Sequence, residues 1–111
     1  MLFRVLIADS DSEFAQLLHE AFSLKGYVCT VVGDGKTAID CLNKEDYSLC
    51  VLDLDLPEKD GLEVVEFIKT ENLLTSFLFC SFRGDKKYRL HGLRLGAEDY
   101  LIKPIELEEL L

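Results

Sequence analysis

Apolar residues along the chain follow two alternating rhythms. Continuous runs occur at Phe3 to Ala8, Tyr27 to Val32, Leu49 to Leu52, Phe77 to Cys80 and Tyr100 to Ile102. Between them, apolar residues recur at helical spacing: Phe14, Leu17, Leu18, Ala21 and Phe22, then Ala38, Ile39, Cys41 and Leu42, then Leu62, Val65 and Ile68, and finally the segment Tyr88 to Leu95. Short runs read as strands covered on both faces, and the periodic segments as amphipathic helices. Turn residues fall between them, at Gly26, Gly33-Asp34-Gly35, Pro57, Asp60-Gly61 and Gly96, where helices end or chains reverse. Asp11 or Ser12 stands where the first helix needs a cap. Strict alternation of strand and helix with right-handed crossovers predicts an α/β fold, a doubly wound five-stranded parallel sheet with helices on both faces. The flavodoxin-like order 2-1-3-4-5 fits, because the ends of strands one and three then meet at the switch point where such sheets bind ligands. Glu106 to Leu111 predicts the start of a fifth helix, short or truncated, that depends on packing by Leu107, Leu110 and Leu111. The whole chain, 1–111, reads as one domain.

The strand ends carry the chemistry. Asp53 closes the third run and is followed by Leu54-Asp55-Leu56-Pro57-Glu58-Lys59-Asp60-Gly61; Asp9, Ser10 and Asp11 follow the first; Ser81 closes the fourth; Lys103 and Pro104 follow the fifth. Carboxylates, a hydroxyl and an ammonium thus converge on one sheet edge. Hard cations take carboxylate oxygens, whereas Lys and hydroxyl groups bind phosphate oxygens, so this is the layout of a site for a divalent cation and a phosphoryl group.

In order and spacing, Asp9, the segment Asp53 to Gly61, Ser81, Gly96-Ala97-Glu98-Asp99-Tyr100 and Lys103-Pro104 resemble the receiver (CheY-like) domain of two-component response regulators, along almost the whole chain. The resemblance implies that Asp53 accepts a phosphoryl group from a sensor histidine kinase or phosphotransfer protein. It implies Mg2+ held by Asp9, Asp53 and the backbone carbonyl of Asp55, and Lys103 in contact with the phosphoryl group. It further implies that Ser81 and Tyr100 switch together and report to an effector domain or protein through helix four, strand five and helix five, a face that also suits a homodimer. Chemistry of this kind is limited to self-phosphorylation and autodephosphorylation.

Two positions depart from the family. Ser10 stands where a second acidic residue is usual, and it reads either as a weak or water-mediated metal ligand or as a helix cap, since Ser10 and Glu13 have capping-box spacing. Phe82 replaces a small residue after Ser81, so its bulk restricts access and its ring would hold Tyr100 in one rotamer. Asp55 and Arg83 are placed to pair across the entrance. Both departures favour an alternative, a pseudo-receiver that interacts without being phosphorylated. A haloacid dehalogenase-like phosphatase is a lesser alternative on Asp53-Leu-Asp55, although its motif usually lies at a first strand. Gly35-Lys36-Thr37 is no phosphate loop, because Thr30 occupies the position where that motif needs glycine.

The chain has 111 residues, 49% of them hydrophobic, enough for one core. Its net charge of -9 argues against direct nucleic-acid contact, which needs a basic face. No apolar stretch approaches the roughly 20 residues that span a bilayer, so no membrane contact and a cytoplasmic location are expected. Cys29, Cys41, Cys50 and Cys80 lack CxxC spacing and read as free thiols. His19 and His91 are isolated on helices and read as solvated positions.

Overall fold

The structure, a computed structural model, describes residues 3–105. Its elements are β1 (Arg4–Ala8), α1 (Ser12–Leu24), β2 (Val28–Val32), α2 (Gly35–Lys44), β3 (Leu49–Leu52), α3 (Gly61–Thr70), β4 (Ser76–Ser81), α4 (Lys86–Arg94) and β5 (Tyr100–Ile102). All strand pairs are parallel, in the order β2-β1-β3-β4-β5. The predicted fifth helix lies outside the described residues.

Alternation along each strand divides the core into two layers. Val5, Ile7, Val51, Leu78, Cys80 and Leu101 pack with Ala15, Leu18 and Phe22 of α1 on one face. Leu6, Ala8, Cys50, Leu52, Phe77 and Phe79 pack on the other with Ala38 and Leu42 of α2 and Val64, Val65 and Ile68 of α3. Central strands are covered on both sides, which is why their sequences are continuous apolar runs rather than alternating ones. Each buried Val, Leu, Ile or Phe side chain among them contributes roughly 1.5–3 kcal/mol. The two-layer division also separates Cys50 from Cys80, on opposite faces of the sheet. All four cysteines are free, with Cys29 and Cys41 only half-buried. Burial pushes the Cys50 and Cys80 thiols well up, the latter to about 12, so both behave as apolar side chains.

The starts of α1, α2 and α3 are fixed by acidic caps. Asp11, Asp34 and Asp60 accept from the backbone N–H of Phe14, Thr37 and Glu63 at 3.1, 2.7 and 2.9 Å, satisfying donors that have no partner inside the helix. The cap of α1 is therefore Asp11, and the capping-box reading of Ser10 is not realised: Ser10 is exposed and precedes the cap. Asp11 wins because the Ser10 position is taken by the turn that Asp9 builds, described below. α1 turns Leu17 toward water, 53% exposed, where periodicity alone placed it with the core. Gly26 and Gly96 adopt φ of +89° and +103° beyond α1 and α4, the left-handed conformation that ends helices.

One close approach braces the loop after β3. Gly35 donates its N–H to the carbonyl of Pro57 at 3.1 Å, and a Cβ at Gly35 would stand 1.7 Å from the Lys59 carbonyl oxygen. Only glycine lets the start of α2 lean on that loop. Gly33, two residues earlier, has open space around it. Gly35→Ala is therefore expected to destabilise the fold by about 1–3 kcal/mol through overpacking, and Gly33→Ala by no more than about 0.5 kcal/mol. Urea unfolding of the two variants checks the contrast; equal midpoints would remove the brace.

Candidate functional site

Asp9 follows β1, Asp53 follows β3, Ser81 ends β4 and Lys103 follows β5. The parallel ladder fixes their heights. Asp9 donates its N–H to Val32, Asp53 to Ala8 and Lys103 to Ser81, at 3.0, 3.0 and 2.8 Å. Strand order then places the two carboxylates side by side on the central pair of strands, and β5 supplies the lysine. The Lys103–Pro104 peptide is cis.

The two aspartates use their oxygens alike. Oδ1 of Asp9 accepts from the N–H of Asp11 at 2.9 Å, and Oδ1 of Asp53 from the N–H of Asp55 at 3.2 Å. Both are local turns in which the side chain accepts from the backbone two residues on, a habit of aspartate. Each Oδ2 accepts from the Lys103 ammonium, at 2.7 Å for Asp9 and 3.1 Å for Asp53. The lysine side chain is only 3% exposed, so this is a buried ion triplet. Burial raises the pKa of Asp9 against the opposing pull of Lys103. Burial alone would depress Lys103, but its hydrogen bonds and charge contacts with Asp9 and Asp53 carry it above its ordinary 10.5.

Ser81 is fully buried, and its hydroxyl accepts from the N–H of Arg83 at 3.1 Å. Tyr100 is buried too, ring against Phe79, with its hydroxyl donating to the Arg83 carbonyl. Arg83 forks onto Asp55 at 2.9 and 3.0 Å, the pair anticipated across the entrance, and lies over the Tyr88 ring at 5.3 Å. About half exposed on both sides, this pair adds little stability.

Phe82 departs from the sequence-based expectation. Its ring is 69% exposed and lies over Lys103, with Nζ 5.4 Å from the centroid, while Tyr100 is held by Phe79 and the Arg83 carbonyl. Phe14, read from the sequence only as a core position of the first helix, covers the same ammonium at 4.6 Å. Nothing in the helical periodicity marks Phe14 for that role; it follows from the crossing of α1 with the end of β5.

Among the described residues, no three His, Cys, Asp or Glu side chains gather as a metal-binding group. The oxygens brought together here are those of the buried Asp9 and Asp53 carboxylates, with the exposed Ser10 next to Asp9 in the chain. Mg2+ is commonly held by one or two carboxylates together with waters and phosphate, so this all-oxygen set fits it.

Comparison with known proteins agrees with this geometry. The family model for the response regulator receiver domain matches residues 5–111. The chain is 40% identical over 107 residues to the transcriptional regulatory protein TctD of Salmonella typhimurium, covering 96% of this chain and 48% of that protein. It is 37% identical over 107 residues to the transcriptional regulatory protein BasR of Escherichia coli, with the same two coverages, 96% and 48%. Among solved structures, the signal receiver domain of a putative Luxo repressor protein from Vibrio parahaemolyticus superposes with a TM-score of 0.95 at 28% identity, covering 99% of this chain and 85% of that one. The receiver domain of Francisella response regulator 1452 gives 0.90 at 33% identity, covering 96% and 88%.

The chain belongs to the response regulator receiver domain family. Receiver domains of two-component response regulators are in general non-enzymatic signalling modules. It spans about half the length of the curated relatives it matches. None of the helices among the described residues is long and apolar enough to cross a membrane.

Lys103→Met would leave two buried carboxylates without their cation. Removing one partner of a buried ion set costs about 3–5 kcal/mol, and that loss is the expected result near neutral pH. The sign with pH follows from linkage. Burial already raises the Asp9 carboxyl, and without Lys103 nothing opposes that rise, so protonation of Asp9 favours the folded state and the deficit shrinks as pH is lowered from neutral into the acid range. In the parent, the contribution of Lys103 is present below 10.5 and is lost as pH rises through its raised folded value. Urea unfolding of both proteins across this range tests the prediction, and a pH-independent deficit would contradict it.

Proposed function

We propose that Asp53 is the phosphoacceptor, taking a phosphoryl group from a sensor histidine kinase or phosphotransfer protein. The observation that carries this reading is the Lys103 ammonium shared between Asp9 and Asp53 at the carboxyl edge of the sheet. An ionised carboxylate is the nucleophile required, and Asp53 accepts from two donors, the Asp55 N–H and the Lys103 ammonium. An Asp53 carboxylate oxygen attacks phosphorus in line. The new O–P bond forms as the bond from phosphorus to the donor breaks, and that electron pair leaves with the donor imidazole. Lys103 passes from a carboxylate oxygen to an oxygen of the transferred group and offsets its added charge. Mg2+, held by Asp9, Asp53 and the Asp55 carbonyl, with Ser10 weakly or through water, would neutralise the remaining charge on the transferring oxygens. Phe82 and Arg83 stand at the entrance and restrict which donors reach Asp53.

Signalling begins at Ser81. Its hydroxyl holds the Arg83 N–H, and the Arg83 carbonyl holds Tyr100. A phosphoryl oxygen that draws the Ser81 hydroxyl away breaks the first of these bonds and alters the support of Tyr100. The change is then read on α4, β5 and the segment beyond by an effector or a second copy. The reading puts the protein in the cytoplasm, where such a donor would meet it, and the net charge of -9 argues against nucleic-acid contact by this segment.

Incubation with acetyl phosphate and Mg2+, read by intact mass, is expected to add one phosphoryl group to the parent and none to Asp53→Asn. A phosphoryl group retained by Asp53→Asn would sink this reading and favour a different acceptor; no addition to either protein would favour the pseudo-receiver.

Ser10→Asp adds a hard anionic ligand beside Asp9, where only a hydroxyl stands. It is expected to raise Mg2+ affinity, because hard cations take carboxylate oxygens, while lowering the melting temperature of the metal-free protein. Thermal melts with and without Mg2+ report both signs, because a native-state ligand stabilises by RT ln(1 + [L]/Kd). Equal Mg2+ responses in parent and variant would count against it.

A further inference from the structure

We infer that Phe14 and Phe82 form an aromatic clamp on the Lys103 ammonium that holds it on Asp9 and Asp53 and thereby weakens the site's grip on a divalent cation. This rests on the reading of Asp9, Asp53 and Lys103 as the phosphoryl-transfer site. An ammonium has three donors, and two of those of Lys103 go to the aspartates. Two aromatic rings also face the charge: Nζ lies 4.6 Å from the Phe14 centroid and 5.4 Å from that of Phe82. Both are within the roughly 6 Å over which a ring face attracts a cation.

Core packing does not account for Phe82. A ring left 69% exposed recovers little from apolar burial, yet it stands over the one ammonium that joins both carboxylates. The two rings arrive from unrelated elements, α1 and the loop after β4, on the side of Lys103 where a groove of about 340 Å3 is lined by Phe14, Leu17, Phe82 and Ile105 together with the acidic Asp11 and Glu13. Arg83, the next residue, turns instead to Asp55. Adjacent residues of one loop thus serve different charges.

The consequence is a competition. Lys103 neutralises one oxygen of each carboxylate that would hold Mg2+, so the ammonium and the metal compete for the same anionic pair. Whatever stabilises Lys103 in place subtracts from metal affinity. Phe14 and Phe82 are positioning residues in this sense, acting on the carboxylates only through Lys103.

Phe82→Leu keeps apolar cover and removes the ring, whereas Phe82→Tyr keeps a ring. Isothermal titration of Mg2+ into parent, Phe82→Leu, Phe82→Tyr and Phe14→Leu distinguishes electrostatic clamping from steric cover. Phe82→Leu is expected to tighten Mg2+ binding about two- to five-fold, the equivalent of one exposed cation–π contact. Phe82→Tyr should match the parent, and Phe14→Leu should move in the direction of Phe82→Leu. Ring-current shifts of the Lys103 ε-methylene protons, upfield in parent and Phe82→Tyr and relaxed in Phe82→Leu, provide a reading independent of metal. Equal Mg2+ affinity in parent and Phe82→Leu, tightening in Phe82→Tyr, or no Mg2+ binding by any form overturns the clamp. The phosphoacceptor reading stands or falls separately, on whether phosphorylation requires Asp53.

Discussion

A single ammonium shared by two buried carboxylates is the constraint to which the rest of the molecule conforms. Lys103 reaches Asp9 and Asp53 from residues far away in sequence, and all three side chains are nearly sealed from water. Unit charges about 4 Å apart interact by roughly 4 kcal/mol at an effective dielectric of 20. The carboxylates therefore repel strongly without a cation between them. Such a triplet is poor evidence of stability for its own sake, because desolvation offsets much of the attraction. Its presence at a sheet edge makes sense as a poised site, in which an internal cation holds the place of charges that arrive during function.

The scaffold makes that arrangement affordable to the chain by fixing everything else. β1 and β3 are the innermost neighbours of the switch point, sealed by α1 on one face and by α2 and α3 on the other. Each aspartate spends one oxygen on its own loop, so only the second is free for the lysine. The loop after β3 is braced from outside by Gly35 and Pro57. Rigid strands and self-bonded loops together limit how far the carboxylates can separate, which is what the chemistry of a two-carboxylate site needs.

The loop after β4 is where the site meets the surface. Within three consecutive residues, Ser81 faces inward, Phe82 covers Lys103 and Arg83 binds Asp55 and, through its backbone, Tyr100. A displacement of this loop is felt at the ammonium, at the entrance and at β5 together. Coupling of this kind requires no long relay, because one short segment touches each partner directly.

The sequence by itself determined the element order, the parallel sheet and the four strand-end groups. Continuous apolar runs, helical periodicity and turn residues are local signals, and a residue that ends a strand of known direction must lie at a known sheet edge. It also placed Asp55 opposite Arg83, since equal offsets from neighbouring parallel strands bring side chains together. What it left open depended on the angles at which elements cross. Phe14 carried only a helix-core pattern, and no spacing rule could reveal that its ring reaches the end of β5. Phe82 read as bulk turned toward Tyr100, yet tertiary packing gives Tyr100 to Phe79 and the Arg83 carbonyl and leaves Phe82 to Lys103. Ser10 had the spacing of a cap, but Asp9 folded its own turn first and passed the cap to Asp11. In each case two local solutions were compatible with the residues, and only the three-dimensional placement of a distant charge or ring selected between them.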